Sequence, residues 1–252
     1  MSEETEDERW ERLSRDRIHR PLPKRFYRSV AVTDQLGIAL DGRSVKTPLK
    51  AALVLPTRPL AEAVAAEWEA QVDVINPHAM PLTKLANTSI DRAIPEKSKI
   101  AAEILEFAGS DMVCYRAESP AGLVQRQTTH WDPIIAWAKV DLGASFESVN
   151  TITHRRQSPA ALEYMDDAIM ALDPFSFVAV HNLATLTGSA LLATMLAAGR
   201  ISADAAWLAA NVDEDWQIAT WGEDVEALAR RARRLEEFSA SVRFADLARG
   251  HS

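Results

Sequence analysis

Three side chains of this sequence have the types for nucleophilic chemistry: Cys114, His130 and Asp132. A thiol beside an imidazole, with a carboxylate to orient the ring, would make a small-molecule hydrolase centre. Cys114 sits between Val113 and Tyr115 with no nucleophile motif around it, and a free cysteine in that company reads as a small buried hydrophobe. A metal would have to draw on His130, His154 and His181 together with Asp132. No two of these histidines stand at the i, i+2 or i, i+4 spacing of zinc sites, and His181 lies in the apolar run FVAVHNLATL, where a hydrogen-bonded core histidine is the default. No GxGxxG, GxxxxGK[ST], GxSxG or HExxH occurs. The 9 glycines are few for a backbone cradle around a phosphate. No catalytic residue, no metal ligand, no cofactor and no nucleotide is expected.

A second kind of chemistry is non-covalent. Tryptophan occurs 7 times, often beside charge: Trp68 in EWE, Trp131 in HWD, Trp216 and Trp221 in DEDWQIATWGED. Tryptophans beside acids suit either a helix start or a protein-binding surface, where aromatic anchors carry most of the energy. From Ala160 to Ala229 there are eleven acids against one base, Arg200; then Arg230, Arg231, Arg233 and Arg234 arrive together. A helix with acids in its first turns and bases toward its end complements its own dipole. The other reading is an acidic patch that steers a basic partner.

The elements that must position these groups follow from periodicity. Phe26–Thr33, Gly37–Thr47 and Ala51–Pro56 read as short strands, and Asp41-Gly42 as a hairpin turn. Ala61, Val64, Ala65 and Trp68 recur at helical spacing, in a helix that Asn76-Pro77 stops. Helices are expected over Thr83–Ala93, from Pro95 through Phe107, and over Thr128–Leu142. Gly109-Ser110-Asp111 breaks the second of these, and Met112–Arg116 should be extended, as should Val149–Thr153. Ser158-Pro159 opens a helix to Leu172; Pro174 opens one to Leu186; Gly188–Ala198 is buried; Ser202 caps a helix to Asn211. One long last helix starts near Asp213 with Trp216, Trp221, Val225, Leu228 and Leu235 inside. The class is α+β, a small mainly antiparallel β lobe followed by a larger all-α lobe. The expected division is an acidic arm over 1–24, a β-rich domain with its covering helix over 25–80, and a helical domain over 81–252.

The chain has 252 residues, 47% hydrophobic and 25% charged, with a formal net charge of −8. That composition is globular. The acidic balance argues against nucleic acid as a partner. One cysteine excludes an intrachain disulfide and suits a reducing compartment. The first eight residues, MSEETEDE, fit neither a signal peptide nor a mitochondrial presequence, and Ser189–Gly199 is too short to span a bilayer. A cytoplasmic, bacterial setting without membrane insertion is expected.

Four blocks, in order, carry a family resemblance. RFYRSVAV with GIALDGRSVKTP comes first, then EWEAQ with MPLTKLANTSID, then DMVCYRA with GLVQRQTTHWDPIIAWA, and last DEDWQIATWGEDVEA. Together they resemble the ATP synthase assembly chaperone family that acts on the alpha subunit, the family of ATP synthase assembly factor 2. Its mitochondrial members tend to have Tyr in place of Trp216. The resemblance implies an α+β N-terminal lobe, an all-α C-terminal lobe, and a chaperone that holds unassembled alpha subunit of the ATP synthase head before it joins beta. Such a protein works by covering a sticky surface and needs no catalytic group. The resemblance points to Glu214, Asp215, Trp216, Gln217 and Trp221 as partner contacts. It leaves open which of Asp213, Glu214 and Asp215 is the key acid. Trp68, Pro81, Leu82, Asn87 and Asp91 form a structural signature, with Trp68 and Asp91 holding the lobes together. The rival readings are the hydrolase built on His130, Asp132 and Cys114, and a permanent structural subunit of a larger complex.

Overall fold

A computed structural model describes residues 22–150 and 155–250. Strands β1 (Val30–Val32), β2 (Ile38–Leu40) and β3 (Arg43–Ser44) form an antiparallel sheet in that order, with Val30 opposite Leu40 and Leu40 opposite Arg43. The β2–β3 turn is Asp41-Gly42, with φ of 47° and 76°. Two successive left-handed residues are what a two-residue hairpin loop needs, and Asp-Gly supplies them at low cost. The Asp41 carboxylate also accepts from the Arg28 and Ser29 amides at 3.0 and 2.9 Å, fastening the turn to the chain just ahead of β1. The segment Ala51–Pro56, expected as a strand, makes only isolated bridges, Lys46 with Ala52 and Gly37 with Val54. Leu53 and Leu55 still alternate into the core, so the burial pattern of a strand exists without its ladder.

Helix α1 (Arg58–Glu69) starts where the Thr57 hydroxyl accepts from the Leu60 amide, and buries Leu60, Ala61, Ala63 and Val64. It ends at Glu69, not at the expected stop, Asn76-Pro77. Gln71 accounts for this: its amide donates to the Glu67 carbonyl at 2.9 Å and its oxygen accepts from the Asn76 amide at 2.8 Å. The side chain takes up backbone groups that further helix would have used, and the released chain bridges back to Lys24 through Val74. Asn76-Pro77 opens a single 3-10 turn instead.

Helix α2 (Pro81–Asp91) has no capping side chain of its own. Its open amides are met from α1. The Glu67 carboxylate accepts from the Leu82 amide at 2.7 Å, the Thr83 amide at 2.8 Å and the Thr83 hydroxyl at 2.7 Å. A carboxylate at this end also meets the positive pole of the helix. Burial raises the Glu67 carboxyl above its ordinary range, and the Thr83 and Leu82 donors pull it back.

Eight further helices follow: α3 (Lys97–Gly109), α4 (Ala121–Asp141), α5 (Pro159–Met170), α6 (Pro174–Thr187), α7 (Ala190–Ala197), α8 (Ala203–Ala210), α9 (Val212–Trp221) and α10 (Val225–Ala248). Helix α4 begins seven residues before the expected Thr128, because Gln125, Arg126, Thr128 and Thr129 on its early turns face solvent and mask the apolar stripe. Met112–Cys114 is a 3-10 turn and not extended. Asp111, fully buried, accepts there from the Val113 amide at 3.2 Å and from the Leu191 amide of α7 at 3.0 Å. Tyr115 then bridges Val149 in parallel; the rest of the second expected extended piece, 151–153, lies outside the described residues, as do His154 and 1–21 of the acidic arm. The single last helix is two. Gly222, at φ 93° and ψ 179°, breaks it in a conformation that is essentially glycine's alone. Trp221, Val225 and Leu235, read as interior, are exposed; α10 buries Phe238, Val242, Phe244 and Ala245 instead.

Helix α6 is the hub, packed against α2, α3, α7 and α10. All eight residues of α7 are buried. One apolar core runs from Ile38 in the sheet through Trp131 and Phe177 to Phe244, and a smaller cluster gathers Tyr27, Leu40, Ile75 and Met80. The fold is α+β, a small antiparallel sheet followed by ten helices among the described residues. No helix of these is long and apolar enough to cross a membrane.

Glu67→Ala removes the side-chain cap of α2 and should cost about 2 kcal/mol, read as a lower urea midpoint at unchanged m-value. For Asp111, burial outweighs the donors around it and raises the carboxyl from 3.8 to about 6. The folded state therefore holds this proton more tightly than the unfolded chain does. The stabilisation is complete below the unfolded value and is lost as pH rises through about 6. Between pH ~4 and pH ~7 the wild type should lose about 2 kcal/mol relative to Asp111→Asn in urea denaturation. A difference that does not change with pH would contradict this.

Candidate functional site

The three acids at the start of α9 point in three directions, since successive helical residues turn by about 100°. Asp213 faces α4 and accepts from Gln127 Nε2 at 2.7 Å. Gln127 is buried and itself fixed, its oxygen accepting from the Ala117 amide at 2.8 Å. Glu214 pairs with Arg234 of α10 at 2.5 Å, and Arg234 also donates to the Asn211 side chain. Asp215 pairs with Arg231 at 2.5 Å. Both guanidiniums lie over the Trp207 ring, at 5.9 Å for Arg231 and 5.6 Å for Arg234, and that ring packs on Phe238 at 5.2 Å. Glu214 and Asp215 therefore hold α9 to α10. Asp213 is exposed and lines a cleft, while Glu214 borders a smaller hollow beside it.

That cleft has a volume of about 840 Å³ and is walled by Tyr115, Pro120, Leu123, Asp213, Trp216 and Trp221. Trp216 is half-buried, seated against Gly122 at the start of α4, with the Arg126 guanidinium 5.3 Å from its ring centre. Trp221 ends α9 and is 77% exposed. Gln217 and Trp221 also border a second hollow of about 390 Å³, which continues over Ile218 and Leu228 to Asp224. Trp221 is thus a projecting aromatic between two concave, largely apolar surfaces with acids at their edges. An indole so placed has one apolar body to bury and no internal partner that buries it, which is how interface anchors look before the partner arrives.

The signature residues sit elsewhere, and none lines either hollow. Trp68 is half-buried with its ring 5.9 Å from Tyr27, whose hydroxyl donates to the Trp68 carbonyl at 2.6 Å. Pro81 opens α2, Leu82 is in the core, and Asn87 is half-buried on the same helix. Asp91, at the far end of α2, accepts from the Thr47 hydroxyl at 2.6 Å and the Leu49 amide at 3.0 Å, both in the loop after β3.

Cys114 is not placed as a nucleophile would need to be. Cys114 is fully buried, and burial, with the Asp111 charge second, pushes its thiol up to about 12. It is protonated at neutral pH. Asp132 pairs with Arg116 at 2.8 Å, and Arg116 stacks on Trp131. His181 meets Glu103 at 3.0 Å. Among the described residues no cluster of histidine, cysteine and acids could hold a metal.

Nothing in the sequence singles out Gln127, Gly122 and Arg126, which fix the cleft-facing side of α9; the arginine run, open there to a dipole or a steering reading, supplies the partners of Glu214 and Asp215. The block GLVQRQTTHWDP contained all three of the former, but nothing local in it shows which neighbours they meet.

The pairing separates the three acids in stability. Glu214→Lys sets two cations against each other and should lower the Tm by about 5 °C. Asp213→Asn keeps an acceptor for Gln127 and should leave Tm within about 1 °C. Scanning calorimetry of the two variants is the check; equal shifts would contradict the assignment.

A family model described as ATP12 chaperone protein matches residues 24–139. The crystal structure of Atp12 from Paracoccus denitrificans is similar at a TM-score of 0.84 and 38% identity, over 90% of this chain and 98% of that one. A protein of Agrobacterium tumefaciens, proposed to be a chaperone, matches at 0.83 and 42%, over 92% of this chain and 89% of that one. An aspartate-to-lysine variant of the Paracoccus protein matches at 0.84 and 38% over 90% of this chain.

Proposed function

The chain belongs to the ATP12 chaperone protein family, whose place is in ATP synthase assembly, and from that premise we propose that it binds the unassembled alpha subunit of the F-type ATP synthase head and holds it until beta joins. The observation that carries this reading is similarity to Atp12 along nearly the whole length of both chains. The physical task fits. An unassembled subunit exposes apolar surface that is otherwise covered, and that surface drives aggregation. Covering it takes complementary shape and a dissociation rate that lets the next subunit in. It takes no nucleotide, cofactor or metal, and no bond is made or broken. The bacterial sources of the two relatives support a cytoplasmic setting.

Within that reading the partner is received by the cleft beside α9. Trp221 is the apolar anchor and Asp213 the polar contact, with Trp216 and Gln217 forming the surface between them. Asp215 supports this surface through Arg231, and Glu214, paired with Arg234, borders its smaller hollow. The exposed Trp221 supports this site, because a large indole left in water is costly unless something covers it.

Purified protein should keep freshly refolded alpha subunit soluble without ATP, and should not do so for unrelated proteins. Trp221→Ala should weaken binding by about 2 kcal/mol, roughly thirtyfold, at unchanged Tm. Isothermal titration gives the affinity and light scattering the solubility. Alpha subunit that aggregates equally with and without the protein would sink the proposal. Recovery of the chain as a stoichiometric component of mature ATP synthase would favour a permanent subunit instead.

A further inference from the structure

Gly122 is the second residue of α4, and its backbone is helical. Nothing in the helix itself asks for glycine there, since alanine is the better helix former. A Cβ built on it would lie 2.8 Å from Cη2 and 3.0 Å from Cζ3 of Trp216. Real Cβ atoms essentially never approach other atoms that closely, so any side chain at 122 would make the ring retreat by about half an ångström or more.

The consequence reaches the cleft, because the same helix fixes both groups that α9 turns toward it. One turn past Gly122, the Arg126 guanidinium lies 5.3 Å from the Trp216 ring. At Gln127, the amide holds Asp213 at 2.7 Å. Trp216 is a wall of the cleft, Asp213 lines it, and Trp221 stands five residues further along α9. We infer that Gly122 is a positioning residue for partner binding: its missing side chain lets Trp216 seat against α4, and that seating sets the width of the cleft and the placement of Asp213 and Trp221. Gly122 itself does not line the cleft and need not touch the partner. The inference rests on the cleft being the partner site.

A double-mutant cycle tests it, with 5-fluorotryptophan-labelled protein giving a readout that needs no partner. Phe at 216 lacks the distal part of the indole that Gly122 accommodates. Gly122→Ala should therefore weaken binding of the alpha subunit about tenfold in the wild-type background and less than about twofold in the Trp216→Phe background. Its Tm should be equal or higher, as helix propensity predicts, which separates positioning from loss of structure. The fluorine resonance of Trp216, assigned by its disappearance in Trp216→Phe, should move in Gly122→Ala. An unmoved resonance, or the same loss of affinity in both backgrounds, would overturn the inference. If alpha subunit binds and Gly122→Ala has no effect while Trp221→Ala weakens binding, the inference fails and the cleft assignment survives. If neither variant alters binding, the cleft assignment itself has failed, and this inference with it.

Discussion

The carboxylate of Glu67 reaches across from the last turn of one helix to the open amides of the next, and the layout of the molecule depends on that contact. Helix α2 begins at a proline with no side chain of its own to meet its first amides. Glu67 meets two of them and the Thr83 hydroxyl besides. At its other end α2 offers Asp91 to the loop after β3, through Thr47 and Leu49. One helix is thus fastened at both ends by carboxylates, to the sheet's covering helix and to the sheet's own loop. Because α2 also packs on α6 and α10, the small sheet is joined to the helical body through it. A sheet of three short strands has little stability of its own, so the continuity of the core from Ile38 to Ala245 is what lets it persist.

The same economy governs the acidic end. Helical geometry sends Asp213, Glu214 and Asp215 to different neighbours. Two are neutralised by Arg234 and Arg231, whose guanidiniums also cover Trp207. These pairs are partly buried, where Coulomb attraction is screened less than at the surface. What would otherwise be a repulsive run of charge becomes the clamp between α9 and α10. It leaves one acid, held by a buried glutamine, facing the cleft. Buried groups with fixed partners give an interface a preorganised shape, which lowers the entropy lost on binding.

Part of this was legible in the sequence. Asp41-Gly42 at the hairpin, Ser158 and Ser202 as caps, proline at the starts of α5 and α6, and the buried run that became α7 all rest on local chemistry, and the structure agrees. Other places misled for identifiable reasons. Gln71 ended α1 early by taking up backbone groups, which periodicity does not record. Gly222 sat inside an apparently continuous helical pattern, and its positive φ split that pattern in two. The polar early turns of α4 hid a helix start whose first buried residue is a glutamine, Gln127.

The amino-acid order by itself determined the α+β class, the Ser158 and Ser202 caps, the absence of familiar catalytic motifs and the family resemblance, because each is written in neighbours a few residues apart. Only the tertiary structure decided which acid faces the cleft, why Trp221 stands in solvent, and what Gly122 accommodates. Those outcomes depend on where Gln127, Arg231 and Arg234 stand relative to α9, on elements well separated along the chain. A side chain's direction is fixed by its partner in space, and short-range spacing carries no record of that partner.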